Sequence, residues 1–173
     1  MKRDVIDLNS TAREAMKYWN DGDYAQAEPL FRQVVPHLDS SHYNAAHLLS
    51  CFATTLDALD QGAEAEITFR TAIRSAITCD GEKSASRTAA VLGLAEFLFR
   101  SGRYDEALEA ITQCIRDASI GHWVLLYLAT RIHYRQCRSD ECREAAKAAY
   151  LAAPHGKFSS VESLLAQVAA NDS

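Results

Sequence analysis

Glycine and proline are scarce, with seven and three among 173 residues. A chain built of many β-turns uses both freely, so an all-β protein is disfavoured. No apolar run approaches the roughly 18 residues of a membrane span. The opening MKRDVIDLNS lacks the apolar stretch of a secretory leader. No Cys-x-x-Cys occurs, and the five cysteines (Cys51, Cys79, Cys114, Cys137 and Cys142) are odd in number. Most fall on apolar helix stripes, where a thiol packs as a small hydrophobe. They read as reduced thiols in a cytoplasmic protein. Positive charge is not in excess: the net charge of −5 disfavours binding to nucleic acid or to an acidic membrane through bulk charge. Nucleotide-loop, nucleophile-elbow and His-Glu-x-x-His motifs are missing. No carboxylate pair sits in a recognisable acid–base setting. Neither an enzyme nor a cofactor is expected.

What is present is helix-forming and periodic. Apolar residues make up 48% and charged residues 24% of the chain, enough to fold, and Ala, Leu, Glu, Arg and Gln dominate. In SGRYDEALEAITQCI, Ala107 is followed by Ile111 and Cys114. The same small–large–small spacing recurs as Ala27, Phe31, Val34; as Ala65, Phe69, Ala72; and, reduced to alanine, as Cys142, Ala146, Ala149. Each set marks a second helix of a pair. Upstream, the first helix carries a small residue at Ala15, Ala53 or Ala95, always 12 residues before its partner. In the fourth pair the stripe Leu125, Leu128, Ala129, Ile132 places that residue at Ala129, a gap of 13. One extra residue is therefore expected in that turn. The stripes follow the i, i+3, i+4, i+7 spacing of helices buried along one face.

The turns hold breakers. Gly22 and Gly102 lie five residues before the second-helix alanine, whereas Gly62 lies only three before, so that turn is expected to differ. The fourth turn, QCRSDEC, has no glycine, and Ser139 is the expected helix cap. Pro29 falls inside a second helix and removes one of its backbone hydrogen bonds.

These repeats resemble the tetratricopeptide repeat family. In VLGLAEFL, Val91, Leu94, Ala95 and Leu98 take the first-helix positions of its pattern, and Pro154 takes the closing position. Asp39, Ile77 and Ser119 stand there in the other repeats. The second-helix small residues are 38, 42 and 35 apart, against a family period of about 34. The surplus lies in PHLDSSHY and CDGEKSASR, a longer spacing that resembles kinesin light chain repeats. The resemblance implies an all-α solenoid in one domain, residues 1–173, wound as a right-handed superhelix. Its repeats would span about 8–39, 43–78, 86–119 and 122–154. A capping helix is expected at 159–171, with a Ser159–Glu162 capping box and a Val161, Leu164, Leu165, Val168 stripe.

In this family the inner wall of first helices holds a partner segment. Carried over, that wall comprises Ala12, Met16, Trp19 and Asn20; His47, Ser50, Thr54 and Asp57; and Leu92, Glu96, Phe99 and Arg100. In the fourth pair it comprises Trp123, Leu126, Thr130, His133 and Tyr134. Trp19, Phe99 and Tyr134 stand beside the stripes, and aromatics are enriched at recognition hot spots. The basic clamp with which some relatives hold a chaperone's C-terminal carboxylate is replaced by Ala12, Met16, Cys51, Ala89 and Gly93. His133 and Cys137 share a helix face with Cys142 nearby, but no fourth ligand has zinc-site spacing, so no metal is expected. Arg131, Arg135 and Arg138, near Tyr134 and His133, could grip an acidic segment or RNA, but Asp140, Glu141 and Glu144 follow at once and dilute the field, so they read as a solvated face.

The resemblance implies a non-enzymatic adaptor that binds a peptide or protein segment. The alternative is a small secretion-type chaperone holding one client. An RNA-binding helical repeat is disfavoured by charge, and self-association stays open.

Overall fold

A computed structural model describes residues 7–39, 42, 44–117 and 122–153, with positions 162, 163 and 166 in addition. Among the described residues the elements are α-helical, apart from one short 3-10 turn, and eight helices are delimited. The chain folds as two compact units, residues 1–81 and 82–173. In the first, α1 (Leu8–Asn20) pairs with α2 (Tyr24–Val34), and α3 (Ala45–Ala58) with α4 (Gly62–Asp80). The 3-10 turn Val35–His37 follows α2, which packs against α3. In the second, α5 (Ala85–Arg100) pairs with α6 (Tyr104–Asp117), and α7 (Trp123–Arg135) with α8 (Ser139–Ala152). There α7 packs against both α5 and α6.

Local signals start the helices. Asp7 accepts hydrogen bonds from the Asn9 and Ser10 amides, Asp23 from Gln26 and Ser84 from Arg87. Each satisfies an amide that has no partner within its helix. Ser139 differs from expectation: it is the first helical residue of α8, and Arg138 occupies the cap position. Pro29 lies within α2.

The second-helix pattern is the core. Ala27, Phe31, Val34, Ala65, Phe69, Ala72, Ala107, Ile111, Cys114, Cys142, Ala146 and Ala149 are all buried. The Phe31 and Phe52 rings meet at 5.7 Å where α2 packs on α3. Arg32 ties α2 to α4: its guanidinium donates to both Glu64 carboxylate oxygens at 2.8 Å and to Gln61 at 2.9 Å. It also pairs with Glu28 and rides over the Phe52 ring at 5.6 Å.

All four pairs close with the same turn. A residue in left-handed conformation follows the first helix: Gly22 (φ 76°), Asp60 (φ 60°), Gly102 (φ 74°) and Cys137 (φ 55°). The next amide reaches back to a carbonyl five residues earlier: Asp23 to Tyr18 at 2.9 Å, Gln61 to Leu56 at 2.8 Å, Arg103 to Leu98 at 2.9 Å and Arg138 to His133 at 3.0 Å. This is the Schellman closure, which satisfies a carbonyl left over at a helix end.

Two expectations are corrected by that closure. The turn before Gly62 does not differ in backbone; Asp60 takes the left-handed place, and Gly62 merely opens α4. Nor does the fourth turn hold an extra residue. Counting back seven from each left-handed residue gives Ala15, Ala53, Ala95 and Thr130. Thr130 is fully buried, its hydroxyl donates to the Leu126 carbonyl at 2.8 Å, and the Cys142 thiol lies 3.4 Å from its own carbonyl. The twelve-residue gap therefore holds in all four pairs, and the small position of the fourth is Thr130 rather than Ala129. The more apolar stripe, Leu125, Leu128 and Ile132, is also buried, one position out of step with the stripes that define the other pairs.

The surplus between the second and third repeats is a longer helix rather than a loop, since α4 runs to Asp80 and only residues 81–84 separate it from α5. Of the expected terminal helix, Glu162, Ser163 and Ala166 are helical. Ser159, Val161, Leu164, Leu165 and Val168 lie outside the described residues, as do Pro154 and Ser119.

Candidate functional site

In the first unit Ala12, Met16, Asn20 and His47 of the expected wall line a solvent-open cavity of about 780 Å³, whereas Trp19, Ser50, Thr54 and Asp57 are not in its lining. That volume falls in the range of small-ligand pockets. Its floor is apolar, with Leu8, Ala12 and Met16 from α1, Val34 and Leu38 from the end of α2 and beyond, and Leu48 from α3. Asn20, Arg13, Lys17, His37, His42 and His47 are among the polar groups at its rim. Met16 is half-buried and Asn20 exposed. Ser50 and Thr54 are half-buried and spend their hydroxyls on their own helix, donating to Ala46 O at 2.9 Å and Ser50 O at 3.0 Å. Asp57 is half-buried. Trp19 is half-buried too, and its indole nitrogen is enclosed without a hydrogen-bond partner among the described residues.

Beside this cavity, burial pushes the Cys51 thiol up to about 12, with its sulfur 3.8 Å from His47 Nε2. A thiol that holds its proton so firmly is a packing group and a poor nucleophile.

In the second unit, Phe99 joins three elements. Its ring lies 5.7 Å from that of Tyr104 at the start of α6, and the Arg131 guanidinium of α7 sits 5.0 Å above it. Leu92, Glu96 and Phe99 are half-buried and Arg100 exposed. Trp123 and Tyr134 are half-buried.

The corrected register moves the fourth set. Leu126 packs against the buried Ala146 and Ala149 of α8, which makes it a pairing residue. Thr130 is buried and offers no surface. His133 lies at the position of Leu98 in the third pair, counted from the left-handed residue. Burial lowers its pKa first of all; Arg138 lowers it further and Glu141 opposes. Its Nδ1 is enclosed without a partner among the described residues. The residue that matches Met16, Thr54 and Glu96 is Arg131, and Arg135 matches Asn20 and Arg100. Tyr134 keeps its expected place beside Trp19, Asp57 and Phe99 in the series. The signal that finds Arg131 is the turn, since the residue six before each left-handed position belongs to one series whether or not that position is glycine.

The Cys142 thiol is buried against Thr130 and the Cys137 thiol is exposed. Among the described residues no group of three or more His, Cys, Asp or Glu side chains is placed to hold a metal ion. Among the same residues no helix is long and apolar enough to cross a membrane.

Solved structures share this fold. TPR-like repeats of a kinesin light chain from Podosopora anserina superpose with a TM-score of 0.73 at 19% identity, over 95% of this chain and 86% of that one. A single-substitution form of the same repeats gives 0.66 at 20% identity, over 94% and 93%. BtubC (BKLC) from P. vanneervenii gives 0.73 at 16% identity, over 91% and 70%. At these identities the likeness concerns the fold. No curated protein sequence matches the chain. Tetratricopeptide repeats generally bind protein partners and act as scaffolds rather than enzymes. The SusR N-terminal TPR domain profile matches residues 5–122, more than half of the sequence, and the chain belongs to that tetratricopeptide repeat family.

Proposed function

We propose that the chain is a non-enzymatic adaptor that holds a segment of a protein partner against the inner wall of its first helices. The observation that carries this reading is the cavity of about 780 Å³ bounded by α1 and the start of α3. Its floor of Leu8, Ala12, Met16, Val34, Leu38 and Leu48 is apolar and open to solvent, and its rim is polar. A partner side chain entering it would exchange water for aliphatic contact at about 25 cal/mol per Å² buried. Wall residues on regular helices are already ordered, which lowers the cost of binding. In the second unit Phe99, Tyr134, Glu96 and Arg100 would supply contacts of their own. Five free thiols suit a reducing cytoplasm.

A photo-crosslinking amino acid at Met16 or Phe99 should capture the partner, and one at exposed Lys147 on α8 should not. Equal capture from all three positions would move the binding surface elsewhere. Co-expression separates the adaptor from a secretion-type chaperone: the chaperone reading requires one client that is insoluble alone and soluble with this chain.

A further inference from the structure

We propose that the wall of the second unit takes an acidic stretch of the partner, held by the guanidinium groups of Arg131 and Arg135. This rests on the groove reading above and adds the chemistry of what is bound. The two arginines are four residues apart on α7 and so project from one face, with Cβ atoms about 6 Å apart. Arg131 is half-buried and lies over Phe99 at 5.0 Å; Arg135 is exposed. The stack fixes the direction of the Arg131 fork while its N–H donors remain for a ligand. A planar fork suits a carboxylate in bidentate contact.

Several other arginines of this acidic chain have carboxylates beside them: Arg32 has Glu64, Arg70 has Glu66, Arg103 has Glu106 and Arg143 has Asp140. Among the described residues no carboxylate lies within ion-pair distance of Arg131 or Arg135. Asp105, in the adjoining pair, is engaged by Arg138 at 3.6 Å and Gln136 at 3.2 Å. Arg100, next to Phe99 in sequence, adds charge of the same sign. A nucleic-acid backbone needs a continuous basic track. Here Glu96 interrupts the wall and the chain carries −5 overall, so a peptide with a few carboxylates fits better than RNA.

The probe is a library of random twelve-residue peptides displayed on phage, panned on the full chain. Recovered peptides should be enriched in Asp and Glu over the starting library. A synthetic copy of the best should bind at least ~10-fold more weakly to the Arg131→Gln/Arg135→Gln variant, as paired charges at interfaces do. Its affinity for the wild type should fall with salt. Lys147→Gln is the control and should bind like wild type, and circular dichroism should show both variants folded. Peptides without acid enrichment, or unchanged binding by the double variant, would overturn the acidic assignment while leaving the groove reading in place. Peptides whose binding survives Met16→Ala and Phe99→Ala as well would overturn both. Tighter binding of a labelled random single-stranded RNA than of any peptide would also refute the assignment.

Discussion

Swapping glycine with a residue that bears a side chain should destabilise two of the four turns and stabilise the other two. Gly22 and Gly102 have φ of 76° and 74°. A Cβ added at either meets nothing within 4 Å, so no packing change enters and the cost is confined to the backbone. A non-glycine residue in the left-handed region costs about 1–2 kcal/mol. Replacing glycine also stiffens the unfolded chain, which returns about 0.4–1 kcal/mol. By these two terms Gly22→Ala and Gly102→Ala should each lose about 1 kcal/mol. Cys137 already bears that cost at φ 55° with an exposed thiol. Cys137→Gly should therefore gain about 0.5–1 kcal/mol by the same two terms. Asp60→Gly should gain less, because aspartate tolerates this conformation better than most residues. Urea unfolding followed by circular dichroism measures each change, and a shift of about 1 kcal/mol moves Tm by about 2–4 °C in a domain of this size. A destabilising Cys137→Gly, or a neutral Gly102→Ala, would refute the common turn and with it the register that places Arg131 on the wall.

Further outcomes follow from packing and titration. Ala95→Leu should overpack the meeting of α5 and α6 and lose about 1–3 kcal/mol; an unchanged Tm would mean the helices do not approach there. His133 has a folded pKa lowered by burial, so between that value and the ordinary 6.5 the unfolded state binds more protons. Stability should therefore rise with pH through this window, and His133→Gln should flatten that slope in pH-dependent unfolding. The Arg32 guanidinium beside Glu64 holds that carboxyl below its usual value. The stabilisation it brings should be lost as pH falls through the folded pKa. With side chains 42% and 44% exposed it should stay below about 1 kcal/mol, as Glu64→Gln unfolding at two salt concentrations would show. Phe99→Ala should lose the ring contacts to Tyr104 and Arg131 and weaken partner binding by about 2 kcal/mol or more; normal affinity in the folded fraction would remove Phe99 from the binding surface.

The helix pairs were legible because the small–large–small spacing reports burial directly: where Ala107, Ile111 and Cys114 recur as Ala27, Phe31 and Val34, the same face meets the same neighbour. Caps were less legible: Asp7, Asp23 and Ser84 accept the amides at their helix starts, whereas the expected cap Ser139 is the first residue of α8. The extent of α4 was not. CDGEKSASR reads as a loop, yet its Cys79 and Asp80 carry on α4, since exposed helix ends need no apolar residue. The left-handed residues at Asp60 and Cys137 were hidden for a related reason. Glycine advertises that conformation, whereas a closed Schellman turn imposes it on whatever residue occupies the position.

That concealment explains the site as well. The fourth first-helix has two adjacent apolar stripes, and hydrophobic pattern alone selects the stronger, Leu125, Leu128 and Ile132. The stronger stripe does not define the pair, because α7 packs against α5 and α6 as well as α8. Side-chain chemistry on α7 is thus divided among three neighbours, and Leu126 packs against the small residues Ala146 and Ala149 of α8. A one-residue slip turns a helix face by about 100° by the 3.6-residue period, enough to exchange a buried threonine for a half-buried arginine. The turn hydrogen bonds are independent of side-chain polarity and settle the register where hydrophobicity is ambiguous. Only with Thr130 inside does Arg131 come to lie over Phe99, and the aromatic noticed in the sequence acquires the charged neighbour that the acidic-segment proposal requires.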